Sequence, residues 1–144
     1  MIAKLFIGWS LMALCVTIHA TGVAAVMRAV RGHGAHARRF WSWAWLFVRL
    51  AGWIILLHLL EITIWALFYV WSLSMPDLAS ALYFSAVTYT TTGYGDLVLP
   101  REWQLLSGIE ALTGILMCGW STGLFFAVFS RIFQAEARSI DRTL

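Results

Sequence analysis

Three apolar runs, Leu5 to Met27, Leu50 to Trp71 and Trp103 to Phe129, are each long enough to cross a bilayer, which takes about 20 residues of helix. A fourth, the 13 residues from Leu78 to Thr90, is too short to cross. Hydrocarbon offers backbone N–H and C=O groups no partner, so the long runs must be helices. The short one must enter the membrane and stop. Hydrophobic residues make up 61% of the chain and charged ones 12%, against about 25% charged in soluble domains, which excludes a water-soluble globule. The expected fold is a single-domain, all-α membrane protein with three transmembrane helices and one re-entrant helix.

A net charge of +3 invites a nucleic-acid reading, but the placement of the charges argues against it. Eight of the ten basic residues fall at Arg28, Arg31, Arg38, Arg39 and Arg49 between the first two runs, or at Arg131, Arg138 and Arg142 after the last. Positive residues crowd cytoplasmic loops, so the expectation is an outside N-terminus and a cytoplasmic C-terminus. Lys4 and Arg101 then lie on the other side. Trp41, Trp43 and Trp45 suit an interfacial aromatic belt. The basic stretch Arg28 to Arg49 is expected as a short loop or interfacial helix. Arg31, Arg38 and Arg39 could hold anionic lipid head groups, while His33 and His36 are either solvated loop histidines or a pH sensor. Cys15 and Cys118 lie within apolar runs and suit small buried residues rather than a disulfide. His19, with Thr17 and Thr21, gives the first run a weakly polar patch suited to helix packing. No His/Cys/Asp spacing suggests a zinc or iron site, no cofactor is implied, and no hydrolytic or redox constellation points to an enzyme.

Behind the short run comes Thr90-Thr91-Thr92-Gly93-Tyr94-Gly95-Asp96. Glycine reaches positive φ at no steric cost, so a Gly-x-Gly strand can alternate its backbone handedness. Successive carbonyls can then point the same way and replace the water around a cation. The lead-in, Ser74-Met75-Pro76-Asp77, fits a capping box with proline in the first turn. Non-helical backbone at membrane depth is tolerated only in protein or along a wet path, which itself argues for a pore.

Thr91-Thr92-Gly93-Tyr94-Gly95-Asp96 resembles the selectivity filter of potassium channels, T-V-G-Y-G-D, with Thr92 where Val or Ile is usual. Ala81 to Thr88 is similar to that family's pore helix, and Trp103 to Phe129 to its inner helix. The likeness is to the two-transmembrane, bacterial-like type with one extra N-terminal helix. It implies a pore domain over residues 50–133, with outer helix 50–72, pore helix 78–90, filter 91–96 and inner helix 103–130. Residues 1–49 form the preceding helix and basic loop, and 134–144 a short cytoplasmic tail too small for a regulatory domain. One filter per chain implies a homotetramer in a bacterial plasma membrane. Carbonyls of Thr91, Thr92, Gly93 and Tyr94, with the Thr91 hydroxyl, would coordinate K⁺, and Gly95 would shape the mouth. Tyr83 and Asp96 match a bracing pair, and Val87 stands where relatives sometimes carry an acid. Tyr94 would pack into the pore-helix layer, and the Thr92 hydroxyl would need a partner such as Thr88 or a water.

Glu61, with His58 three residues before it, and Glu110 are acids inside spans, where a charge must face protein or be neutralised. They are expected either to bond each other or the pore helix as a coupled pair that tunes the filter or senses pH, or to bond separately to nearby hydroxyls. Gly108, Gly114, Gly119 and Gly123 serve packing or bending, with Gly114 the hinge candidate. The function expected is a K⁺-selective channel. Alternatives are a weakly selective cation pore, a K⁺ transporter subunit, or a structural membrane protein without transport.

Overall fold

The computed structural model describes residues 2–32 and 40–141, with side chains described for 2–29 and 41–134. Four helices follow one another: α1 (Ile2–Gly32), α2 (Phe40–Trp71), α3 (Leu78–Tyr89) and α4 (Gln104–Asp141). No strand occurs among the described residues. α1, α2 and α4 are each long and apolar enough to cross a membrane, and α3 is not. The fold is the predicted all-α one.

The helices outrun the predicted spans. Arg28 belongs to α1 and Arg49 to α2, so of the basic stretch expected as a short loop or interfacial helix, residues 28–32 and 40–49 are continuations of the spanning helices. Phe40 to Leu50 contains neither Gly nor Pro, and extending an existing helix by one residue adds one hydrogen bond without a new nucleus. α4 likewise continues to Asp141 through Ala135-Glu136-Ala137-Arg138, so most of the stretch 134–144 expected as a short tail is helical. His33, His36, Arg38, Arg39 and Arg142 lie outside the described residues, as do the side chains of Arg31 and Arg138.

α2 closes with the bond pattern of a Schellman turn, Leu73 N–H on Val70 O at 3.0 Å and Ser74 N–H on Tyr69 O at 3.0 Å. Leu73 occupies the left-handed position usually given to glycine, at φ 55°. The Ser74 N–H closes this turn and its hydroxyl meets that of Ser72, so Ser74 is not the cap of α3. Asp77 is: its backbone is extended, and its carboxylate accepts from Ser80 N–H at 2.9 Å and from the Ser80 hydroxyl at 2.9 Å. The predicted capping box is thus corrected. A carboxylate next to the helix start satisfies the orphan N–H better than a hydroxyl three residues upstream. The bonded Ser80 N–H, then the Ser80 hydroxyl, hold the Asp77 carboxyl below the usual carboxylate range.

α3 packs between α2 and α4, and α1 packs on α4 and α2. Trp65, Tyr69, Ala81, Phe84, Tyr89, Leu106 and Met117 form a core around α3, joined by Cys15 of α1. A second cluster, Leu50, Ile54, Leu124 and Val128 with Val23 and Met27 against it, closes the other end. Lys4 Nζ donates to Glu102 O at 2.8 Å and sits 4.2 Å from the centre of the Trp103 ring. The start of α1 therefore meets the start of α4, and the two run parallel. The first helix packs against α4 and α2 as part of the bundle.

Candidate functional site

The backbone after α3 takes the conformation its glycines permit, and one more. φ is positive at Thr91 (60°), Gly93 (52°) and Gly95 (77°), every second residue of the run. For glycine this is free; for β-branched Thr91 it is a rare conformation, held only where the surroundings fix it. They do so here. Thr91 N–H donates to Thr88 O at 2.9 Å, and Gly93 N–H to Val87 O at 3.0 Å. Thr90 caps α3, with its N–H on Ala86 O at 3.1 Å and its hydroxyl on the same carbonyl at 2.7 Å. Helix end and run are one hydrogen-bonded piece. Thr88, predicted as filter support, serves through its carbonyl. So does Val87, whose side chain can give no polar brace.

The Tyr83 hydroxyl donates to Asp96 Oδ2 at 2.7 Å, so the predicted bracing pair is brought together. That bond is the main reason the Asp96 carboxyl lies below the usual carboxylate range. The Thr92 hydroxyl finds Thr90 Oγ1 at 3.0 Å rather than Thr88, across the turn in which Thr91 has positive φ. Tyr94 does not pack into the α3 layer of its own chain; it is 71% exposed, and the run is held to α3 through the Gly93 backbone instead. Between α3, the Thr91–Gly95 backbone and α4 lies a cavity of about 390 Å³ lined by Phe84, Val87, Thr88, Leu99, Gln104 and Ser107.

At Gly114 a Cβ would overlap the Tyr89 carbonyl oxygen, so the glycine has the packing role expected of it, admitting the end of α3 against α4.

Glu61 and Glu110 are both fully buried, and each has its own partners. Glu110 accepts from the Tyr69 hydroxyl at 2.6 Å and the Ser85 hydroxyl at 2.5 Å, and the Ser85 hydroxyl also lies 2.9 Å from Ile62 O. Glu61 accepts from the Tyr89 hydroxyl and pairs with His19 Nδ1 at 2.9 Å. The coupled acid pair gives way to two separate stations, each tying α3 to its neighbours through a hydroxyl of that helix. Burial at this depth requires every carboxylate oxygen to be bonded; α3 reaches one oxygen of each acid, and Tyr69 of α2 and His19 of α1 meet the others.

Around Glu61 the bonds close on themselves. His58 Nδ1 lies 3.0 Å from the Tyr89 hydroxyl, and Ser121 Oγ lies 3.2 Å from His58 Nε2 and 3.1 Å from His19 Nε2. His19, Glu61, Tyr89, His58 and Ser121 thus form a ring drawing on all four helices. Sequence reasoning missed His19, Tyr89, Ser121, Tyr69 and Ser85 as parts of this site. Polar side chains within lipid-length helices were the available sign, but nothing in their spacing tells which of them meet. His19, His58 and Glu61 also bring three metal-ligand-type atoms within 4.8 Å of one another. All three side chains already hold hydrogen-bond partners within the ring.

A family model described as "Ion channel" matches residues 43–131, more than half of the chain, from the first turn of α2 to Arg131 in α4. No curated protein and no solved structure gives a match.

Proposed function

The chain belongs to the ion-channel family, and from that premise we propose that it conducts potassium ions selectively and passively through a homotetrameric pore. The observation that carries this reading is the alternation of positive φ at Thr91, Gly93 and Gly95 within a Thr-Thr-Gly-Tyr-Gly-Asp run. Inverting the backbone at every second residue turns successive carbonyls to one side. Four copies around an axis would stack rings of oxygens, with the Thr91 hydroxyl completing the innermost one. K⁺ would sit between rings that replace its hydration shell, and repulsion between ions in adjacent sites would keep them moving.

The carbonyl end of α3 carries partial negative charge and would favour a cation beneath the run. Asp96 held by Tyr83 would keep the outer mouth in shape. The Thr92–Thr90 contact gives the Thr92 hydroxyl a partner. In this reading the N-terminus and the Lys4–Glu102 end of the bundle face outward, and the basic residues between α1 and α2 face the cytoplasm, where Arg31, Arg38 and Arg39 would meet anionic lipids. Large apolar side chains exposed along α4, Leu112, Ile115 and Phe126 among them, suit lipid and neighbouring copies.

Vesicles reconstituted with the full chain and loaded with K⁺ test it. The expected result is rapid K⁺ efflux once a proton ionophore relieves the charge, with the same vesicles tight to Na⁺. Vesicles equally leaky to both ions, or tight to both, would overturn the reading.

A further inference from the structure

The five-membered ring at the end of α3 has a hydrogen count that does not balance at its ordinary charge. It makes five contacts, and each needs one hydrogen between two heavy atoms. Tyr89 supplies one, Ser121 one, and a neutral imidazole one each from His19 and His58; ionised Glu61 supplies none. Four hydrogens cannot fill five contacts. In that state one contact sets lone pair against lone pair, and the ring carries a net negative charge on or beside the fully buried Glu61 and His19, with His58 partly buried, a costly arrangement. One more proton fills the fifth contact and makes the ring neutral.

We propose that His19, Glu61, Tyr89, His58 and Ser121 form a proton-binding site that holds one shared proton and, when it does, fastens the end of α3 to α1, α2 and α4. The next residues after Tyr89 are the run that begins at Thr90, so the site acts on the proposed pore from behind; in this the inference rests on the channel reading. The other titratable groups facing the ring are Cys15 from α1 and Cys118 from α4, both within electrostatic reach of Glu61 and Tyr89, with Glu110 beyond Cys15. The Trp120 ring lies tilted against that of His19, with centroids 5.6 Å apart. The proton fills the ring below its titration point and leaves as pH rises. K⁺ flux is therefore highest at low pH and falls along a one-proton curve.

The experiment follows K⁺ efflux from vesicles against pH for the parent chain, Glu61→Gln, and the double variant His33→Gln/His36→Gln. Glutamine donates an N–H to His19 and accepts from Tyr89, giving five hydrogens with none to lose. Glu61→Gln should hold the low-pH flux throughout, while the double variant should titrate as the parent does. A Glu61→Gln chain that titrates like the parent, or a transition lost with His33 and His36, would overturn the proposal. Histidine ring-nitrogen NMR of the parent chain, from about pH 4 to pH 9, reads the same proton without conduction. One of the two ring histidines should change protonation or tautomer in a single step that Glu61→Gln removes. Unchanged signals from both would equally overturn it. Should efflux be absent at every pH, the channel reading fails while the NMR still decides on the ring.

Discussion

Thr91 holds a φ of 60°, a conformation its branched Cβ disfavours, and two backbone bonds to α3 keep it there. Neighbouring side chains act just as locally. Thr92→Val removes the contact to Thr90 but keeps the volume, and in the proposed pore the K⁺/Na⁺ reversal potential should stay K⁺-selective; wholesale loss of selectivity would contradict the placement of that hydroxyl behind the run. Tyr83→Phe removes the bond that lowers the Asp96 pKa, so the Asp96 carboxyl should rise toward its ordinary value. A group whose pKa is lowered by folding contributes above its unfolded pKa and loses that contribution as pH falls through the folded one. The Asp96 brace is therefore an acid-side matter, and a carboxyl NMR titration of both chains checks the shift. Gly114→Ala forces a methyl into the Tyr89 carbonyl, and overpacking of that kind costs about 1–3 kcal/mol. Thermal unfolding in detergent should register the loss, whereas Gly119→Ala, with open space around its position, should not.

At the scale of elements, the spans and the short α3 were legible because length in hydrocarbon leaves few alternatives. The ends were less so. Ser74 and Asp77 both have capping side chains, and sequence cannot say that Ser74 is taken by the turn closing α2. Asp77→Ala should lower the melting temperature, while Ser74→Ala should leave α3 capped; thermal unfolding of the two variants separates them. The alternation of backbone handedness was foreseen from Gly93 and Gly95, but its extension to Thr91 was not, since a threonine gives no local sign of positive φ. Tyr83 and Asp96 were matched through the resemblance. Glu61 and Glu110 were visible as misplaced acids, yet their partners come from helices distant in sequence. Glu61 meets His19 across 42 positions and Ser121 meets His19 across 102. Only tertiary packing brings them together.

Over the whole molecule, α3 is the piece everything else holds. Asp77 fixes its start, Glu110 grips Ser85 midway, and the ring around Glu61 grips Tyr89 at its end. α1, outside the residues matched to the family, adds His19 to that last grip and is tied back at Lys4. Such a clamp suits the proposed tetramer, in which the end of the segment would present a strained backbone in register with three further copies. The proposed selectivity is tested most directly by the reversal potential of the parent chain in a planar bilayer with K⁺ on one side and Na⁺ on the other. A potential displaced strongly toward the K⁺ equilibrium value is the predicted result, and one near zero would contradict it.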